Sequence, residues 1–279
     1  MKMNAFAYRR AQSAGEAVAL AAEAGEDCRF LAGGQSLLAA MNFRLDEPAT
    51  LIDISRIAAL RGISVTSGAV SIGALTRHAD LEASGEIAAH LPLVASAIRE
   101  VAHPAIRNRG TIGGSLALAD PAAELPACMV ALDATLHLTG PDGVRAVSAA
   151  DFFHGLYETA LAPGELITGI EIPRPGPEAR HGFDELARRH GDYAMAGLAV
   201  VLGADTARVV YFGLSDRPVR AQAAEAAILR GEDPETCAAL ADDGLEIMED
   251  ISAGEATKRH YARVLLRRVL GRMRGQGAR

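Results

Sequence analysis

Two glycine pairs constrain this chain more than any other feature. Gly33-Gly34-Gln35-Ser36 and Gly113-Gly114-Ser115 each set small residues, then a hydroxyl, at a turn between apolar segments. Without Cβ atoms the backbone can lie close to a diphosphate, successive N–H groups can form an anion nest, and the hydroxyl adds a donor. A tight turn also needs glycine for backbone reasons alone, so each loop by itself reads first as a structural turn. As a pair they point to two loops converging on one anionic ligand. Neither reads G-x-G-x-x-G or G-x-x-x-x-G-K-[ST], which excludes a Rossmann fingerprint and a P-loop. The run Gly34-Gln35-Ser36-Leu37-Leu38 begins like a nucleophile elbow but lacks its closing glycine.

The segments around these loops have a readable order. Ser13 is placed to cap a helix with Glu16 three residues on, Ala17, Val18, Leu20 and Ala21 supply its apolar face, and Gly25 ends it. A short strand at 29–32 leads into the first glycine loop, Ser36 is placed to cap a helix through Leu37, Leu38 and Met41, and TLIDIS at 50–55 is the next strand. This order is an α/β unit of the kind that binds nucleotides. The alternating run around Gly68 predicts a hairpin, and Leu75 to Val101 predicts helix with Pro92 at a helix start. After the second loop, Asp120 and Pro121 are expected to open a helix before the strand ATLHL. A Pro- and Gly-dense stretch at 173–182 reads as a domain crossing, followed by strands at FDELARR, AMAGLAVVL and ARVVYFGL. The basic amphipathic run ATKRHYARVLLRRVLGRMR, with Tyr261, Val264, Leu265 and Val269 on its apolar side, is expected to pack on its own domain; attachment to a partner or membrane is the alternative.

Composition narrows the function. At 279 residues and 49% hydrophobic the chain can bury a substantial core. A formal charge of -7 argues against binding nucleic acid or anionic lipid. Three scattered cysteines cannot ligate an iron–sulfur cluster, and eight histidines show no metal-ligand spacing; His78 and His103 are expected to play structural hydrogen-bonding roles. With no Trp and 4% aromatic residues there are few stacking surfaces, so a large ring must be brought in as a cofactor. No apolar run of transmembrane length and no secretion signal are visible, so no membrane insertion and a cytoplasmic location are expected.

Four stretches, LAGGQSLLAAMNFRL at 31–45, IGALTRHADL at 72–81, HPAIRNRGTIGGSLALADPAAELPA at 103–127 and ARRHGDYAMAG at 187–197, together resemble the FAD-binding medium subunit of the molybdenum hydroxylases, the xanthine dehydrogenase family. The resemblance runs in the same order over nearly the whole chain and is closest to the carbon monoxide dehydrogenase medium subunit type. It implies an α+β fold: a two-subdomain FAD-binding module of the vanillyl-alcohol-oxidase-like kind at 1–175, with subdomains at about 1–56 and 57–175. A smaller C-terminal flavoprotein domain of antiparallel sheet plus helices would occupy 176–279.

The resemblance also implies site residues. Leu31, Ala32, Gly33, Gly34, Gln35, Ser36 and Leu37 would form the first FAD loop, and Thr111, Ile112, Gly113, Gly114 and Ser115 the second. Asp120 and Glu124 would lie near the flavin and its ribityl or adenosine portion, Ile167 would make an apolar contact to the ring system, and Tyr193 would cover the isoalloxazine beside Asp192. On the residues alone, Asp120-Pro121 is also an ordinary helix start, Tyr193 a packing residue, and Arg107 and Arg109 either phosphate contacts or solvated side chains. One departure stands out: related chains often carry Lys where this one has Asp184 or Glu185, with Arg188 or Arg189 available to compensate.

The function implied is electron transfer. A molybdenum-cofactor large subunit oxidises substrate, an iron–sulfur small subunit relays electrons, and FAD on this chain passes them to an external acceptor, in an expected dimer of heterotrimers. No catalytic side chain and no metal ligand is assigned to this chain. A free-standing FAD-dependent oxidoreductase is the alternative, and a scaffold that has lost FAD a third reading.

Overall fold

The computed structural model describes residues 3–276. The N-terminal unit runs β1 (Ala7–Arg10), α1 (Ala14–Ala24), β2 (Cys28–Leu31), α2 (Leu37–Asn42) and β3 (Thr50–Asp53), with the strands parallel in the order β1-β3-β2. Helix α1 starts where expected: Ser13 Oγ accepts from Glu16 N at 3.1 Å, and Glu16 Oε2 accepts from Gln12 N at 2.7 Å. Ala17, Leu20 and Ala21 are its buried face, and Gly25 at φ 73 ends it.

The middle unit begins with the hairpin β4 (Ile63–Val65) and β5 (Ala69–Gly73), followed by α3 (His78–Ala83), α4 (Gly85–His90), α5 (Pro92–Ala97), α6 (Pro104–Arg107), α7 (Ile112–Leu118) and α8 (Glu124–Ala131). Strands β6 (Thr135–Gly140) and β7 (Gly143–Ser148), the short α9 (Ala149–Phe152), the pair β8 (Phe153–Gly155) and β9 (Glu158–Thr159), and β10 (Leu166–Pro173) complete it. Its antiparallel sheet has the order β4-β5-β10-β6-β7.

The last unit is a four-stranded antiparallel sheet, β11 (Arg180–Leu186), β12 (Ala196–Leu202), β13 (Ala207–Phe212) and β14 (Val219–Arg220), covered by α10 (Gln222–Leu229), α11 (Pro234–Ala239) and α12 (Glu255–Gln276). Every residue of β12 is buried because the strand serves two cores. Ala199 and Val201 join the cluster built on α5, α8 and the middle sheet. Leu198, Val200 and Leu202 join the cluster under α12, with Leu265, Leu266, Val269 and Met273. Alternation of side chains across the strand makes this possible, and each fully buried Leu or Val contributes about 1.5–3 kcal/mol. The C-terminal helix thus packs on its own sheet, with Tyr261 and Val264 only partly buried at the margin.

Several local expectations are corrected. The helical stretch from Leu75 to Val101 is three short helices; Ser84 caps α4 through Ile87 N, and Pro92 opens α5. Asp120 does not cap α8, which starts at Glu124 after Ala123; its Oδ1 instead accepts from Ala122 N at 2.9 Å, a local turn that ends before the helix begins. Ser36 precedes α2 in an αR conformation and makes no side-chain cap bond.

Candidate functional site

The two glycine loops meet. A Cβ on Gly33 would lie 2.4 Å from Arg109 O, so the first loop, between β2 and α2, rests directly on the backbone entering the second. Gly34 sits at φ +73, the left-handed region that favours glycine. A Cβ on Gly113 would lie 2.6 Å from the Ala74 Cβ, so this glycine seats α7 against the end of β5. Close packing of backbone therefore requires Gly33 and Gly113, whatever ligand approaches.

The loops also differ in what they offer. In the second, Ile112 N donates to Thr76 O at 3.1 Å, Gly113 N to Ala74 O at 2.8 Å, and Gly114 N to Thr111 Oγ1 at 3.1 Å. In the first, the N–H groups of Gly33, Gly34, Gln35 and Ser36 find no acceptor among the described residues. The first loop is the open nest, while the second supplies the half-buried Ser115 hydroxyl and the wall behind it.

Beside this junction lies a cleft of about 390 Å³. Tyr8, Leu31, Ala32, Gly33, Ser55 and Thr111 line it, together with Arg10, Arg56, Arg61, Arg77 and Arg109 and the single carboxylate Asp53. Burial acts to raise the Asp53 carboxyl, but hydrogen bonds from Ser55, Tyr8 and Arg10 outweigh it and hold it below the usual range. Arg61 donates to Ser55 O. The guanidinium groups of Arg56, Arg77 and Arg109, which also line the cleft, have no acceptor among the described residues. On a chain of net charge -7 this is a local cationic trap. Arg107 lies elsewhere: buried, bonded to Glu82 at 2.9 Å and to the carbonyls of Val101 and Ala102, it is structural.

A second group of polar side chains gathers where α8, β11 and the turn at 191–193 meet. Asp120 Oδ2 accepts from the Tyr157 hydroxyl at 3.3 Å. Tyr193 is 67% exposed, and its phenol is raised by desolvation and by Asp120, Tyr157 and Glu124 around it. Tyr157 is exposed, at φ 56, and its phenol is raised by desolvation and by Asp120. Glu124 is 7% exposed, and burial, then Asp120 and Glu100, raise it to about 7. Glu185 is raised to about 8 by burial, then by Glu124, Glu100 and Asp184, and its Oε2 is buried with no partner. Asp192 is exposed beside Tyr193. Gly191, at φ 84, presses the turn against Ala102 O, which a Cβ would approach to 2.8 Å.

The structure thus groups Asp120, Glu124 and Tyr193, with Asp192 exposed next to Tyr193, but none of the four lines the cleft beside the two loops, and Ile167 is buried at 5% exposure in the core of the middle unit. Asp184 and Glu185 separate: Asp184 pairs with Arg268 at 3.2 Å and Arg272 at 3.0 Å on α12, and Glu185 faces α8. Arg188 and Arg189 are exposed. Sequence reasoning missed Tyr8, Arg10, Arg56, Arg61, Arg77 and Tyr157; their scattered positions carry no motif, and only the fold joins them. His78 also departs from expectation, since neither of its buried ring nitrogens has a hydrogen-bond partner of normal geometry among the described residues.

A non-Rossmann α+β chain with an open N–H nest beside a cationic cleft has the features of a protein that binds a phosphate-bearing nucleotide cofactor. Residues 4–175 match the family described as the FAD binding domain in molybdopterin dehydrogenase, and residues 181–273 the CO dehydrogenase flavoprotein C-terminal domain. The chain belongs to this family of FAD-binding subunits of molybdopterin dehydrogenases, and its cofactor is FAD.

The 6-hydroxypseudooxynicotine dehydrogenase complex subunit alpha of Paenarthrobacter nicotinovorans is 37% identical, covering 98% of this chain and 95% of its own length. The carbon monoxide dehydrogenase medium chain of Afipia carboxidovorans is 45% identical over 71% of this chain and 68% of its own. Carbon monoxide dehydrogenase from Hydrogenophaga pseudoflava superposes with a TM-score of 0.94 at 38% identity, covering 99% of each chain.

Proposed function

We propose that this chain is the FAD-carrying electron-transfer subunit of a molybdenum hydroxylase complex, acting beside an iron–sulfur small subunit and a molybdenum-cofactor large subunit in a dimer of heterotrimers. The observation that carries this reading is the convergence of the open N–H row of Gly33 to Ser36 with the guanidinium groups of Arg56, Arg77 and Arg109, which have no acceptor among the described residues. That pairing suits a diphosphate.

When bound, FAD supplies the redox chemistry between the iron–sulfur relay and the acceptor. The chain's own residues bind and orient it. Leu31 to Leu37 and Thr111 to Ser115 would hold the diphosphate, Asp120 and Glu124 would lie near the flavin and its ribityl or adenosine portion, Ile167 would make an apolar contact from the edge of the core, and Tyr193, beside Asp192, would cover the ring. Residues 1–175 serve as the FAD module and 176–279 as the second domain, which adds the Tyr193 turn and the Glu185 strand. A cytoplasmic location follows from the same reading, and among the described residues no helix is long and apolar enough to cross a membrane.

Co-expression with the neighbouring subunits and purification of the complex tests the assignment. The expected product is a three-subunit assembly with flavin and iron–sulfur absorbance whose flavin bleaches when substrate is added. A complex without flavin absorbance overturns it. An isolated, FAD-loaded chain that turns over a small substrate at an enzyme-like rate would make it a free-standing oxidoreductase.

A further inference from the structure

Lys258 is the fourth residue of α12 and is 3% exposed. Its ammonium donates to Gly213 O at 2.8 Å and to Asp250 Oδ2 at 2.6 Å. Asp250 in turn closes its own loop, accepting through Oδ1 from Ser252 N at 2.6 Å and Ala253 N at 3.1 Å. A cation is disfavoured in the first turn of a helix by the macrodipole, and withdrawing an ammonium from water costs more than a single ion pair returns. A pair with Asp250 alone could form at the surface without that burial. What the burial adds is the bond to the Gly213 carbonyl.

Gly213 is a junction of three distant stretches. It follows β13 at φ +72, in the left-handed region, and a Cβ there would lie 2.9 Å from Ala194 O. Its N–H donates to Pro121 O at 2.7 Å. Leu214 O, the next carbonyl, accepts from Met248 N at 2.8 Å, which ties the loop carrying Asp250 to the same point. Asp120 and Tyr193 are the chain neighbours of Pro121 and Ala194, and the backbone of Tyr193 makes no hydrogen bond of its own among the described residues. Gly213 therefore supports both stretches at once, and Lys258 holds Gly213.

We infer that Lys258 is a positioning residue for the flavin: through Gly213 it sets where Asp120 and Tyr193 stand. This rests on the FAD reading above, which puts those two side chains at the cofactor. The C-terminal helix then has a task that its apolar packing does not require, since one polar bond from its first turn fixes the far side of the site while the two glycine loops are untouched. Without the Lys258 bond, Gly213 loses the tie on its carbonyl side, and Pro121 and Ala194 lose the support they share.

The experiment compares the purified wild-type complex with complexes carrying Lys258→Met, Gly213→Ala or Leu265→Ala. Met keeps the unbranched chain and removes the donor, Ala at 213 drives a methyl against Ala194 O, and Leu265→Ala weakens α12 away from the junction. Amide hydrogen exchange read by mass spectrometry follows 119–123 and 191–196, and visible circular dichroism follows the bound flavin. Lys258→Met removes one hydrogen bond to a charged group, so exchange in both stretches should quicken by about ten- to a hundredfold. Gly213→Ala should quicken the same two stretches. Both should reduce the flavin dichroism at unchanged flavin-to-protein ratio, whereas Leu265→Ala should lower the melting temperature and leave both readouts at the wild-type level.

Wild-type exchange at 119–123 and 191–196 in the junction variants overturns the inference, and so does an equal response in Leu265→Ala, which would make the effect one of overall stability. If Lys258→Met does not fold, Gly213→Ala supplies the same two readouts. Faster exchange with an unmoved flavin spectrum refutes the placement of Asp120 and Tyr193 at the flavin and not the tie through Gly213. A wild-type complex that purifies without flavin refutes the FAD reading, and the exchange measurement still decides whether Lys258 holds the two stretches.

Discussion

Glycines at the two loops do different work, and substitutions should separate them. Gly33→Ala places a methyl 2.4 Å from a backbone oxygen that cannot swing away, so the loops must part. Gly114→Ala meets only the Thr111 hydroxyl at 2.9 Å, which can rotate at the cost of one capping bond of about 1 kcal/mol. Flavin content and melting temperature measured on both variants should fall far more for Gly33→Ala; equal losses would mean that loop contact is not what the first glycine provides.

His78 carries a second residue-scale prediction. Burial lowers it to about 4, so relative to an unfolded histidine its contribution is fully present above about pH 6.5 and is lost as pH falls through about 4. That is on the order of 3 kcal/mol. Replacing His78 with Leu should flatten the decline in stability between pH 6.5 and 4, read by chemical denaturation at each pH. The two glycine loops were legible because glycine turns have a sequence signature; the orphaned imidazole was not, because burial on every side comes from residues distant in the chain.

Among the elements, the period of apolar residues carried most of the information. Helix α1 was readable down to its caps because Ser13, Glu16 and Gly25 are local signals. The break of 75–101 into three helices was not, since Ser84 reads as an ordinary helix residue until its hydroxyl is seen capping Ile87 N. Helix α12 was legible as amphipathic, and its packing follows from Gly182, where a Cβ would meet Val269 at 2.3 Å: the missing side chain lets the helix lie flat on β11. Its anchors are the fully buried Leu265 and Leu266. Leu265→Ala should cost about 2–5 kcal/mol, whereas Arg267→Ala, which removes an exposed pair with Glu235 at 3.4 Å, should cost under about 1 kcal/mol. Denaturant midpoints of the two variants check the ordering, and near-equal losses would mean the helix is held by its charged face.

At the scale of the whole molecule, net charge conceals the feature that matters most for binding. A chain of -7 reads as one that repels anions, yet five arginines from β1, the segment after β3, the turn after β5 and the start of the second loop surround one cleft. Nothing in their spacing announces this, because they are joined only when the parallel sheet of the N-terminal unit is laid against the middle unit. Association of a cofactor that carries a diphosphate should therefore weaken with salt even though the protein as a whole is acidic. Removing one charge-assisted hydrogen bond costs about 1.5–3 kcal/mol, so Arg77→Ala and Arg109→Ala should each weaken FAD binding by roughly ten- to a hundredfold. Each should also make the binding less sensitive to salt, whereas Arg188→Ala, on the exposed turn before Tyr193, should change neither. Equilibrium binding of FAD to the deflavinated complex at low and high ionic strength distinguishes these outcomes. Unchanged affinity in the two cleft variants would detach the arginines from the diphosphate and leave the loop N–H groups as its sole support.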